Sequence, residues 1–150
     1  MKLTRCVLLS SLAAVALLFP ILALNATNLA PIDSSGVQVQ PLQQNGITYL
    51  SGGIGEDEAR AISQAQGYNL HVTFAIGPEN RYVADVDIAI GNASGQTLLT
   101  LDQAGPLVFV QLPPGKYTVV ATRNDEERRD TANIGSGAPR KLVFHWNSDE

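Results

Sequence analysis

Residues 68 to 76 read "YNLHVTFAI", and they alternate strictly: Tyr68, Leu70, Val72, Phe74 and Ile76 fall on one side, Asn69, His71 and Thr73 on the other. Successive side chains of a strand leave opposite faces of its sheet, so a period of two means a strand with one buried face. "YVADVDIAIG" repeats the pattern, with Tyr82, Ala84, Val86, Ile88 and Ile90 expected inward and Asp85 and Asp87 outward. "NASGQ" then turns the chain into "TLLTL". "GPLVFVQL" is apolar on both sides, as a central strand covered on two faces would be. In "LPPGKYTVVATRN", Pro114 and Gly115 suit the two central positions of a type II turn, after which Tyr117, Val119 and Ala121 begin another inward face. "DEERRD" reads as a solvated hairpin tip, and "RKLVFHW" closes the pattern with Leu142, Phe144 and Trp146 on one face. Six or seven short strands separated by turns predict a mainly β chain, an antiparallel β-sandwich with one short helix near its start.

That helix follows a glycine-rich stretch, "SGGIGEDEARA" at residues 51 to 61, placed between a strand and a helix as a phosphate loop would be. With Gly55 as N-cap, however, Glu56, Asp57 and Glu58 occupy the first turn, where free N–H groups and the positive dipole end would otherwise draw an anion. Glu58 at the third position is expected to bond back to the cap N–H, Ile54 to staple against Ala59, Glu56 to pair with Arg60, and Gly67 to take the left-handed position after the helix. The loop also lacks the Lys-Ser/Thr that ends a P-loop. A self-capped helix covering one end or edge of the sandwich is therefore expected, with no phosphate bound.

The N-terminus has the layout of a secretory signal over residues 1 to 26: Lys2 and Arg5, then an apolar run of 18 residues from Val7 to Leu24, then small residues. An uncleaved anchor is the alternative, although Ser10, Ser11 and Pro20 interrupt the run and no basic stop-transfer cluster follows. Residues 27 to 45 are rich in Gln, Ser, Asn and Pro and read as a flexible leader in which "GVQVQPL" would add at most one edge strand ended by Pro41; residues 46 to 150 form the domain. The sole cysteine, Cys6, lies ahead of the apolar run, so the processed chain has neither disulfide nor thiolate metal site. Processing also removes Lys2 and Arg5, taking the formal net charge from −4 to −6. Scattered charge of that sign leaves no footprint for nucleic acid, nor for a membrane after signal cleavage.

Few residues are placed for chemistry. His71 and His145 would need neighbouring strands and a third ligand to hold a metal. Asp85 and Asp87 would lie about 7 Å apart on one strand face, a spacing open to a Ca²⁺ or to an acid/base pair. Each has a plainer reading as part of a solvated strand face. No serine stands in a Gly-x-Ser-x-Gly elbow. No catalytic residue, metal ligand or cofactor is assigned.

The stretch "YVADVDIAIGNASGQTLLTLDQAGPLVFVQLPPGKYTVVATRN", above all its "LPPGKYTV" piece, resembles the carboxypeptidase regulatory-like, prealbumin-like β-sandwiches. With "YLSGGIGEDEARAI" and the final "LVFHW", the whole domain is similar to small exported proteins of that group. The resemblance implies a non-catalytic docking, folding or carbohydrate-contacting module. The related hydroxyisourate hydrolases end in Tyr-Arg-Gly-Ser, whereas this chain ends "HWNSDE". The expectation is thus a periplasmic or secreted, non-enzymatic module binding or scaffolding an envelope protein or carbohydrate. The alternative is a small periplasmic hydrolase or metal-dependent enzyme using Asp85, Asp87 or the histidines.

Overall fold

A computed structural model describes Val37 and residues 39 to 147. The signal and most of the leader lie outside the described residues. Along the chain come β1 (Leu42–Gln44), β2 (Ile47–Gly52), α1 (Glu56–Gln64), β3 (Leu70–Ile76), β4 (Arg81–Tyr82), β5 (Val86–Asn92), β6 (Thr97–Ala104), β7 (Leu107–Gln111), β8 (Gly115–Arg123), β9 (Glu126–Ile134) and β10 (Arg140–Trp146). They form two sheets, ordered β1-β2-β7-β3-β10, with β4 also on β3, and β6-β5-β8-β9. Pairing is antiparallel except between β10 and β3, which run parallel over their whole length. The chain is mainly β and sandwich-like, but it holds ten strands among the described residues rather than six or seven.

One core fills the space between the sheets. Leu70, Val72, Phe74 and Ile76 of β3 meet Leu142, Phe144 and Trp146 of β10 there, and Val86, Ile88, Ile90, Val119 and Ala121 come from the opposing sheet. Phe74 lies 6.2 Å, ring centre to ring centre, from both Phe144 and Trp146. A second, smaller cluster lies on the other side of the first sheet, where Ile62 of α1 packs on Leu50, Leu107 and Phe109. β7 belongs to both: Val108 and Val110 face the main core, Leu107 and Phe109 the helix. Its two apolar faces are thereby explained. The helix covers a face of the sheet, not the end or edge of the sandwich.

The two sheets are joined along both seams by side chains. On one side the carboxamide of Gln44 takes the place of a neighbouring strand for β6, donating to the Thr100 carbonyl at 3.2 Å and accepting from the Thr100 N–H at 2.6 Å, while Asn45 donates to the Leu98 carbonyl at 3.0 Å. On the other side the Trp146 indole N–H crosses from β10 to the Glu126 carbonyl of β9 at 3.2 Å. Strand edges whose peptide groups would otherwise invite another chain are thus partly satisfied from within.

Several expectations change at particular residues. β1 lies inside the segment read as leader: it follows Pro41 and pairs with β2 through the turn at Asn45 and Gly46, with φ of 50° and 77°. Two left-handed residues in a row are what an Asn-Gly hairpin turn requires. Val39 packs against the helix cluster, so the folded region reaches back beyond residue 46. "YVADVDIAIG" is two strands. Tyr82 is on β4 in the first sheet, the chain crosses over at Ala84 and Asp85, and the φ of 59° at Asp85 breaks the alternation, burying Val83 in place of Ala84. Tyr68 precedes β3 and packs with the helix cluster, outside the main core.

Of "DEERRD", only Asp125 lies in the hairpin tip. The turn is Asn124–Asp125, and Glu126 to Asp130 open β9, whose charges pair along the strand, Glu126 with Arg128 and Glu127 with Arg129. Gly115 has a φ of 158°, nearly extended, and starts β8 instead of closing a type II turn. β7 and β8 lie in different sheets, so Leu112 to Pro114 carry the chain between layers. Asn69 fastens that exit with two bonds to the Leu112 backbone, at 2.7 and 2.9 Å, and the Tyr117 hydroxyl donates to the Pro113 carbonyl at 2.7 Å.

Candidate functional site

The glycine stretch folds as a helix start. Gly55 is the N-cap, and Glu56, Asp57 and Glu58 form the first turn. The Glu58 carboxylate accepts from the N–H groups of Gly53 at 2.8 Å and Ile54 at 3.2 Å, further back than the cap N–H expected from spacing alone. The carboxylate thus closes the glycine loop ahead of the N-cap, and no side chain bonds the cap itself. Gly52 leaves room for the carboxylate, since a Cβ there would stand 2.5 Å from Glu58 Oε1. Glu56 pairs with Arg60 at 2.9 Å. Ile54 does not staple; it is 79% exposed. The helix ends at Ala65, whose N–H bonds the Ile62 carbonyl, and Gly67, with φ of 90°, lies one residue beyond the expected position.

The residues singled out for chemistry are spread apart. β3 and β10 are neighbours and set His71 opposite Lys141 and His145 opposite Ala75, so the imidazoles share a face but stand four residues apart, about 13 Å along the strands. The His71 ring stacks on Phe109 at 3.8 Å and its Nε2–H donates to the Tyr68 carbonyl at 3.2 Å. Burial lowers its pKa, the Tyr68 carbonyl opposes that, and the Lys141 charge adds to the lowering. The Nε2–H of His145 donates to the Gly77 carbonyl at 2.7 Å. Asp87 is in the opposite sheet, and its Oδ1 accepts from the N–H of Gln103 at 2.9 Å. That bond supports a bulge in β6, where Gln103 has φ of 53° and the register shifts between Val86 and Ile88. Asp85 sits in the crossover, off the strand. Among the described residues, no group of three or more His, Cys, Asp and Glu side chains is placed to hold a metal ion.

A groove runs alongside α1. The sheet beneath is five strands across, about 19 Å, while a helix with its side chains is about 10 to 12 Å wide. α1 packs over Leu50, Leu107 and Phe109 and leaves Tyr82 of β4 and Val143 of β10 exposed on the same face, where His71 and Thr73 of β3 are half-buried and Ala75 is buried. Two hollows follow. One, of about 390 Å³, lies at the first helical turn between Ile54, Glu56, Ala59, Tyr82, Ala84 and Pro106. The other, of about 250 Å³, lies one turn on, between Ser63, His71, Thr73, Phe109, Lys141 and Val143. Tyr82 lines both, so they lie next to each other beside the helix. Three of the four large hydrophobic side chains exposed among the described residues belong here: Ile54, Tyr82 at 54% and Val143 at 62%. Val143 stands at an outward position of a strand readable in the sequence, whereas Tyr82, expected inward, is exposed on the separate strand β4.

Neither family models nor curated proteins yield a match to this sequence.

Proposed function

We propose that the protein is an exported, non-enzymatic module of the prealbumin-like, carboxypeptidase regulatory-like kind that binds or scaffolds a component of the cell envelope, protein or carbohydrate, in the periplasm or outside the cell. The observation that carries the reading is the groove beside α1. Its floor and walls hold Ile54, Tyr82 and Val143 in water, and apolar side chains grouped in one concavity gain free energy when a partner covers them. The separation of His71, His145, Asp85 and Asp87 weighs against the hydrolase or metal-enzyme alternative, which needs them convergent. The N-terminal charge and apolar pattern supports export.

The test is crosslinking in cells exporting the protein, with a photoreactive amino acid at position 82 and, as control, at position 129 on the charged strand β9. Discrete adducts at 82 and none at 129 are expected. Equal adducts at both positions, or none at either, would sink the reading. Intact mass of the exported chain is expected to reveal a new N-terminus between Leu24 and Ala30.

A further inference from the structure

We propose that the groove beside α1 on the first sheet's outer face is occupied by a second copy of this chain, across a two-fold axis close to Tyr82. The inference rests on the reading of the α1 groove as a binding surface and names its occupant. The groove has unlike ends. At the first, Ile54 projects from the glycine loop, beside Glu56 and Asp57, whose carboxylates share one cation, Arg60. At the second lies the 250 Å³ hollow, with Val143 on its wall and Lys141 as its cation. Tyr82 stands where the two ends meet.

Both ends thus pair a hollow with an exposed apolar side chain, Ile54 at the first and Val143 at the second, but the first bears acid and the second a base. A partner must present the same features in reverse order, and a second copy turned about a two-fold axis does so without further assumption, because in such an interface each patch meets its own counterpart twice. Ile54 of each copy then enters the other's hollow beside Val143, and Glu56 and Asp57 of each face Lys141 of the other. His71 stacks on Phe109 beneath that hollow, and Lys141 is the cation on its wall. Both Tyr82 rings are covered at the centre.

Sedimentation velocity on the protein recovered from expression of the full chain, over a wide concentration range and at low and high salt, tests this. A monomer–dimer equilibrium is expected, shifted toward monomer by salt because the end contacts are ionic. Ile54→Asp, Glu56→Lys and Lys141→Glu should each weaken dimerisation at least tenfold with the circular dichroism spectrum unchanged. Glu56→Lys combined with Lys141→Glu should restore it, since the pair is merely exchanged. A chain that stays monomeric at the highest attainable concentration, or a double variant no better than the single ones, overturns the proposal. The crosslinking at position 82 separates this failure from that of the wider reading: an adduct with a different molecule, or with the N-terminal segment of the same chain, removes the second copy but keeps the groove as a binding site.

Discussion

The two hydrophobic clusters of this protein are built by different means. Between the sheets, Phe74, Phe144, Trp146 and their neighbours come from strands of both layers, so each side chain is held by ladders on several sides. Under α1, four buried residues depend on a nine-residue helix, shorter than isolated helices need to be stable, whose start is held by one carboxylate. Strands from distant parts of the chain make the first cluster a cooperative whole. The second rests on one local element, so it is the natural place for low-energy opening and for a surface that exchanges partners.

The comparison is most severely tested in the main core. Phe74→Ala is expected to cost about 3 to 5 kcal/mol, enough to unfold a marginal domain, as read by urea denaturation. Ile62→Ala removes a side chain as fully buried as Phe74. Its expected cost is lower, about 2 kcal/mol, because the helix can detach without dissolving the sheets. Native-state hydrogen exchange should then show residues 56 to 64 opening while β3 and β10 stay protected; equal loss of protection everywhere would make the two clusters one unit.

Glu58→Gln keeps the shape but loses the charge of the bonds to Gly53 and Ile54, at an expected cost of about 1 kcal/mol by thermal melting. Phosphate or nucleotide added to the unaltered protein should leave the melting temperature unchanged; a saturable rise would mean that an anion displaces Glu58. The smallest effect belongs to His71. Its pKa is lower folded than unfolded, so its contribution is present above the unfolded value, about 6.5, and is lost as pH falls from there through the folded value. His71→Gln should flatten the dependence of melting temperature on pH in that window, and an unaltered slope would place the titration elsewhere.

How far the sequence could be read depended on whether a segment's burial was settled locally. Leu70 to Ile76 announced its inward face because four apolar residues alternate without interruption. β9 gave no such sign: of its nine residues only Ala132 and Ile134 are buried, and its first half lies at a sheet edge where charged side chains are tolerated. Asn45-Gly46 carried a legible hairpin signal that the polar composition around it obscured. The break at Asp85 had no local signature, since alternation continues across it in phase and only the passage from one sheet to the other demands the positive φ.

By itself, then, the sequence determined the β class, the inward faces of β3, β8 and β10, the central place of β7, and a helix beginning at Gly55 with three acids in its first turn. These follow from side-chain periodicity and from the unpaired N–H groups of a first helical turn, which act over a few residues. Strand partners, the parallel join of β10 to β3, the carboxamide and indole links along the seams, and the half-covered face that exposes Tyr82 and Val143 were decided only in the tertiary structure. Each depends on residues far apart in the chain meeting at a given register, and on a helix narrower than the sheet it lies on.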